Sequence, residues 1–149
     1  MAALRQAVQL DPSSTDAANS LGLALMQWGE AEEAVRTFRG LVERAPDLAS
    51  ARHNLGSALL QKGDLEGAVA VYRELVTREP ENAEAHYNLG LALKQRDAFP
   101  ESEVELRQAV GLGRALPEPP YTLAVLLWQT GRGPEALPFL REAIARKAD

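Results

Sequence analysis

The pentapeptide Leu4-Arg5-Gln6-Ala7-Val8 returns unchanged at Leu106-Arg107-Gln108-Ala109-Val110, 102 residues later in a chain of 149. That separation is three times 34, and a 34-residue ruler divides the chain without gaps into four units, 15–48, 49–82, 83–116 and 117–149. A fixed period of this length means one supersecondary unit built several times over, each completing its core against its neighbours.

Positions within a unit are numbered here from 1 to 34. Leu21-Gly22, Leu55-Gly56, Leu89-Gly90 and Leu123-Ala124 occupy positions 7 and 8, with Leu25, Leu59, Leu93 and Leu127 at 11. A second series places Ala34, Ala68, Ser102 and Ala136 at 20, then Phe38, Tyr72, Leu106 and Leu140 at 24. Each series falls on one stripe of a 3.6-residue period, so a unit is predicted to be two helices, a first and a second. Gly29, Gly63 and Gly131 at position 15 mark the turn between them, where a left-handed residue ends a helix without strain. Pro100 and Pro134 suit the first turn of a second helix, and Pro46 and Pro80 stop one. Small residues at 8 and 20 let the two helices approach closely.

Counting back from Pro12 makes residues 1–12 the second helix of a unit whose first helix is absent, so the two copies of the pentapeptide are the same helix in different units. A start in mid-unit reads as a piece of a longer array. The stripe Leu4, Ala7 and Val8 has no first helix to cover it, and nothing caps the last second helix after Lys147. These open apolar faces are expected to stack between molecules. The joint before the fourth unit is irregular: Asp97 stands for the turn glycine, Arg114 for the stop proline, and Pro117, Pro119 and Pro120 are expected to delay the next helix to about Pro119. Pro138 is expected to distort the last helix.

Composition narrows the function. Lys+Arg 16 against Asp+Glu 21 gives a net charge of -5, which draws in neither nucleic acid nor anionic lipid. No stretch of 18 apolar residues marks a membrane span. The absence of cysteine removes disulfides and thiol chemistry and fits either compartment, with a cytoplasmic setting favoured. The two histidines, His53 and His86, come without the spacing of a metal site, and no phosphate loop or serine-nucleophile motif is present. The reading is therefore of no enzyme, no cofactor and no metal.

The recurring L-G-x-x-L, then A-x-x-x-F/Y and P, resembles the tetratricopeptide repeat, whose period is also 34. The likeness covers nearly the whole chain and implies an all-α, right-handed α-solenoid of helix–turn–helix repeats, one array over 1–149. One departure is that the family's large residue at position 4 is here Ala18, Arg52, His86 and Pro120, which predicts looser packing at the starts of the first helices.

The resemblance also implies that first helices line a concave groove through positions 2, 5, 6, 9, 12 and 13. Among these, Asn19, His53, Asn54, Ser57, Glu84, Tyr87, Asn88, Leu91, Lys94, Tyr121 and Trp128 are the candidate peptide-binding residues. Asn54 and Asn88 carry both a donor and an acceptor and could grip peptide amides about three residues apart, while in the family's average sequence Asn at this position is also common. Tyr87, Tyr121 and Trp128 are candidate hot spots or inter-helix packing, Trp28 reads as structural, and Gln27, Gln61, Gln95 and Gln129 form a second ladder at position 13, either a rim for the groove or simply good helix formers. The cations with which some family members hold a C-terminal carboxylate are missing, and Asp16, Glu84 and Glu118 suit a neutral or basic segment instead. The implied function is a scaffold binding a partner's peptide segment at micromolar affinity or so. Two alternatives stay open, the recognition array of a larger enzyme such as a glycosyltransferase, and a self-assembling scaffold joined through its terminal helices.

Overall fold

The computed structural model describes residues 1–148, and every regular element among them is an α-helix: α1 (Ala2–Leu10), α2 (Thr15–Gln27), α3 (Ala31–Arg44), α4 (Ala49–Lys62), α5 (Leu65–Arg78), α6 (Ala83–Gln95), α7 (Phe99–Leu112), α8 (Glu118–Gln129) and α9 (Gly133–Ala148). Two compact units are formed, Met1–Leu75 and Val76–Asp149, with their division inside α5.

All four hairpin turns close in the same way. The amide five residues on returns to the last turn of the first helix, Glu30 to the Leu25 carbonyl, Asp64 to Leu59, Ala98 to Leu93 and Arg132 to Leu127, at 2.8–3.0 Å. A second bond runs from the left-handed residue itself, Gly29 to Met26, Gly63 to Leu60, Asp97 to Lys94 and Gly131 to Trp128. This is the paired closure of a Schellman motif, which requires positive φ at the turn residue. The three glycines supply φ of 80°, 84° and 78°, and Asp97 supplies 60° despite its Cβ. Ser14 and Asn82 cap the starts of α2 and α6 by accepting from the Ala17 and Ala85 amides.

Within the first three hairpins the backbone of the first helix lies against one large side chain of the second. A Cβ on Gly22 would stand 2.5 Å from Cζ of Phe38, on Gly56 2.6 Å from Cζ of Tyr72, and on Gly90 2.8 Å from Cγ of Leu106. Phe38, Tyr72 and Leu106 are fully buried as a result, each contributing roughly 1.5–3 kcal/mol of apolar burial. Ser102, where the other units have Ala, is buried too, with its hydroxyl donating to the Gly90 carbonyl at 2.7 Å.

The expected looseness at the helix starts is not found. Ala18, Arg52, His86 and Pro120 are all buried, and each of the two polar ones lies against a carboxylate, although the buried Arg52 Nε makes no hydrogen bond. The Arg52 guanidinium lies 3.4 Å from the Glu74 carboxylate. His86 is held at both ring nitrogens, 2.7 Å from Glu105 and 3.0 Å from the Pro80 carbonyl oxygen.

At the irregular joint α8 starts at Glu118, one residue earlier than expected, with Pro119 and Pro120 buried in its first turn. Order in the preceding loop comes from Arg146 on α9. Its guanidinium donates to the carbonyls of Val110, Gly113 and Leu116 at 2.7–2.9 Å and to Glu142 at 2.6 Å. Arg44, at the matching position of the first repeat, likewise donates to the Pro12 carbonyl. Pro138 does not interrupt α9, which runs through it; the residue is exposed, so solvent can take over the lost backbone bond. Leu4, Ala7 and Val8 of α1 are half-buried, Leu10 is exposed, and Arg5 ties the helix to Glu33 of α3 at 2.7 Å.

A charged network braces the last hairpin. Arg132 donates to Glu103 at 2.6 Å and to both carboxylate oxygens of Glu135, while Arg107 shares Glu103 and lies over the Phe139 ring at 5.4 Å. Partial burial pushes the Glu103 carboxyl up, but hydrogen bonds from Arg132 and Arg107 more than offset it and hold the group below its usual range. The Arg132 bond lowers Glu135 in the same way.

Two expectations follow from this packing. Gly56→Ala should lower the melting temperature by the equivalent of ~1–3 kcal/mol, through the clash with Tyr72, whereas Asp97→Gly should raise it by ~0.5–1 kcal/mol by relieving a left-handed non-glycine; circular-dichroism melts of both variants test the signs. Because the Glu103 and Glu135 carboxyls are depressed on folding, the stability they add is present above about pH 4.3, the ordinary glutamate value, and is lost as pH falls through the folded values. Arg132→Gln should therefore flatten the loss of stability on acidification below about pH 4.5 in melts taken against pH.

Candidate functional site

The candidate residues are laid out on first helices, and each unit presents its own set. In the Met1–Leu75 unit, α2 and α4 run as neighbours, and Asn54 donates from Nδ2 to Oδ1 of Asn19 at 2.8 Å. Both amides are half-buried. The bond uses one of Asn54's two N–H hydrogens, and its oxygen makes no hydrogen bond among the described residues. Beside them Ser57 shares a 2.9 Å hydrogen bond with the Tyr72 hydroxyl, which also reaches the His53 carbonyl at 3.4 Å. The His53 ring meets Tyr72 edge-on at 6.0 Å. A fully buried tyrosine of α5 thus fixes two candidate residues from beneath. Gln61 is not a free rim residue: its side chain donates to the Met26 carbonyl at 2.9 Å, holding α4 to the end of α2.

In the Val76–Asp149 unit the same positions on α6 and α8 form matched rows. Glu84 and Glu118 are exposed at the helix starts. Tyr87, half-buried, approaches Thr122 through its hydroxyl at 3.4 Å. Asn88, Leu91 and Lys94 continue the α6 row, each half-buried, and the Asn88 side chain makes no protein hydrogen bond among the described residues. On α8, Tyr121 is 57% exposed and Trp128 69%. With Val125 between them they form an i, i+4, i+7 stripe, the signature of one helix face.

Two readings of the aromatics need correcting. Trp28, expected to be structural, is exposed at 72% at the end of α2. For Trp128 the packing alternative does not hold over most of the indole, which is 69% exposed, with one edge close to Gly133. Both ring nitrogens of His86 are engaged within its own unit, by Glu105 and the Pro80 carbonyl, and no group of three metal-ligating side chains occurs among the described residues. Sequence reasoning missed this histidine's role, and with it the roles of Arg52 and Arg146. No described helix is long and apolar enough to cross a membrane.

Family models agree with the repeat reading at three places. A "TPR repeat" model matches residues 56–97, and "Tetratricopeptide repeat" models match 2–49 and 122–148, which together span most of the chain. The chain belongs to the tetratricopeptide-repeat family. Its fold is the all-α solenoid of that family, and solved structures agree. MamA 41-end from Desulfovibrio magneticus RS-1 matches with a TM-score of 0.86 at 20% identity, covering 97% of this chain and 82% of that one. MamA AMB-1 matches with a TM-score of 0.81 at 26% identity, covering 97% and 86%. A further MamA crystal structure gives 0.85 at 17%, covering 97% and 85%. No curated protein matches the sequence. At such identities the likeness carries the tetratricopeptide fold, while the surface residues are this chain's own.

The position-4 histidine gives a check on how the tetratricopeptide hairpin is held. His86→Leu should strip Glu105 and the Pro80 carbonyl of their partner and cost ~1–3 kcal/mol, read as a lower denaturation midpoint. An unchanged midpoint would mean the two contacts are idle.

Proposed function

We propose that this protein-interaction scaffold takes a peptide segment of a partner on the exposed faces of its first helices. The observation that carries the reading is the state of the asparagines. Among the described residues, Asn54 has an N–H and an oxygen to spare beyond its bond to Asn19, and Asn88 is half-buried with no protein hydrogen-bond partner. A side-chain amide with one donor and one acceptor free matches the C=O and N–H of a peptide unit. Pre-anchoring by Asn19, and of Ser57 and His53 by Tyr72, supports the role by lowering the ordering cost of binding.

Side-chain selectivity falls to the second unit. Tyr87, Leu91, Tyr121 and Trp128 offer apolar and aromatic area; Glu84 and Glu118 sit at one end of the rows and Lys94 toward the other. A neutral or basic segment with an aliphatic or aromatic anchor suits this surface, and a short one binds at micromolar affinity or so.

A peptide-display selection tests it, run against the wild type and against Asn54→Ala, Asn88→Ala with helicity unchanged by circular dichroism. Peptides enriched on the wild type should bind the double variant about tenfold or more weakly. Enrichment that ignores both asparagines would sink the reading.

A further inference from the structure

Among the described residues of the Val76–Asp149 unit, the half-buried lysine and arginine side chains are Lys94, Arg132 and Arg146. Arg132 lies 2.6 Å from both Glu103 and Glu135, and Arg146 lies 2.6 Å from Glu142. Lys94, in the last turn of α6, makes no ion pair or hydrogen bond through its ammonium among the described residues, not even with Asp97 three residues on. A half-buried ammonium in this state has given up part of its water without gaining an anion.

The matching place on the neighbouring helix is open as well. In the Met1–Leu75 unit, Gln61 near the end of α4 donates to the carbonyl of Met26 on α2. Two periods further along the chain, the same pair of positions is Gln129 on α8 and Lys94 on α6, again neighbouring helices. There the bond is not made: Gln129 is exposed, and its side-chain amide has no hydrogen bond among the described residues. Where the first unit has a thioether and an occupied glutamine, the second has an ammonium and a spare amide N–H. Two donors, one of them charged, at the same ends of adjacent helices suit a carboxylate. Trp128, 69% exposed and next to Gln129 in the chain, adds apolar surface, which strengthens a charge pair by lowering the dielectric around it.

We propose that Lys94, assisted by Gln129, selects an acidic side chain in the bound peptide segment. This rests on the reading that the first helices take such a segment, and it adds the chemistry of one partner residue. Glu84 and Glu118 lie at the opposite ends of α6 and α8, and the ten residues from Glu84 to Lys94 make about 15 Å of helix. A segment that is neutral or basic overall therefore turns its basic residues toward those glutamates and one aspartate or glutamate toward Lys94. One unpaired cation matches one carboxylate. The order of charges also fixes which way round the segment lies, since the reversed pose meets like charge at both ends.

The test takes peptides selected by display on the whole chain, synthesised with amidated C-termini and a fluorescein label, and reads their Kd by fluorescence anisotropy. They should carry an aspartate or glutamate at a fixed spacing from the apolar anchor. Lys94→Glu should weaken their binding about tenfold or more. Exchanging the peptide's acid for lysine should restore binding to that variant and weaken binding to the wild type, an exchange that damage to the fold cannot imitate. Lys94→Met, which installs the residue of the matching place in the first unit, should bind an acidic peptide and its asparagine or glutamine counterpart equally. Peptides that need Asn54 and Asn88 but show no acid preference, or that the charge exchange does not restore, overturn this proposal and leave the proposed function in place. So does a preference for a free C-terminal carboxylate alone. Peptides that exchange charge with Lys94 yet ignore both asparagines uphold the carboxylate site and remove the asparagine grip. No enrichment of any peptide overturns both.

Discussion

The contact between a glycine of one helix and a large side chain of the next sets the geometry of this protein. Removing a single Cβ at Gly22, Gly56 or Gly90 lets the Phe38 ring, the Tyr72 ring or Leu106 lie on bare helix backbone. Everything nearby adapts to that approach. The Schellman turns bring the helices round at the right pitch, the leucines fill in around the contact, and the polar edges of the core are used as fasteners. Tyr72 shows the economy of the arrangement, because one buried ring packs on Gly56 and sends its hydroxyl up to Ser57 and the His53 carbonyl on the candidate face.

Much of this was written in the sequence. The turn glycines, the stripes at positions 7, 8, 11, 20 and 24 and the stop prolines are local, and a helical period reveals them directly. Asp97 was legible as an exception, and the structure shows that the turn survives it because aspartate tolerates the left-handed region better than most residues. What stayed hidden was pairing across helices. Arg52 and His86 look like polar intruders at a position meant for bulk, and nothing in their own neighbourhood points to Glu74 or Glu105, which lie 22 and 19 residues further along. Such partners are set by the register of one helix on another.

The candidate face divides in the same way. Periodicity placed Asn19, Asn54, Ser57, Tyr87 and Asn88 on first helices, and the structure puts them there. It could not show that Asn54 is already bonded to Asn19, that Gln61 is occupied by the Met26 carbonyl, or that both tryptophans are largely exposed. Those facts depend on neighbours a repeat away, which a single helix does not encode.

The arginine clamps have a consequence for how the protein assembles itself. Arg146 reaches from α9 to the carbonyls of Val110, Gly113 and Leu116, and Arg44 from α3 to Pro12, so in both places the loop that introduces a hairpin is ordered by the far end of that same hairpin. The junction and the repeat it leads into consequently form as one step. Each clamp raises the coupling between a repeat and the one before it relative to the repeat's intrinsic stability, the ratio that decides whether a linear array unzips piecemeal or as a block. Where the clamp is present, fraying stops at a junction instead of passing gradually along the chain.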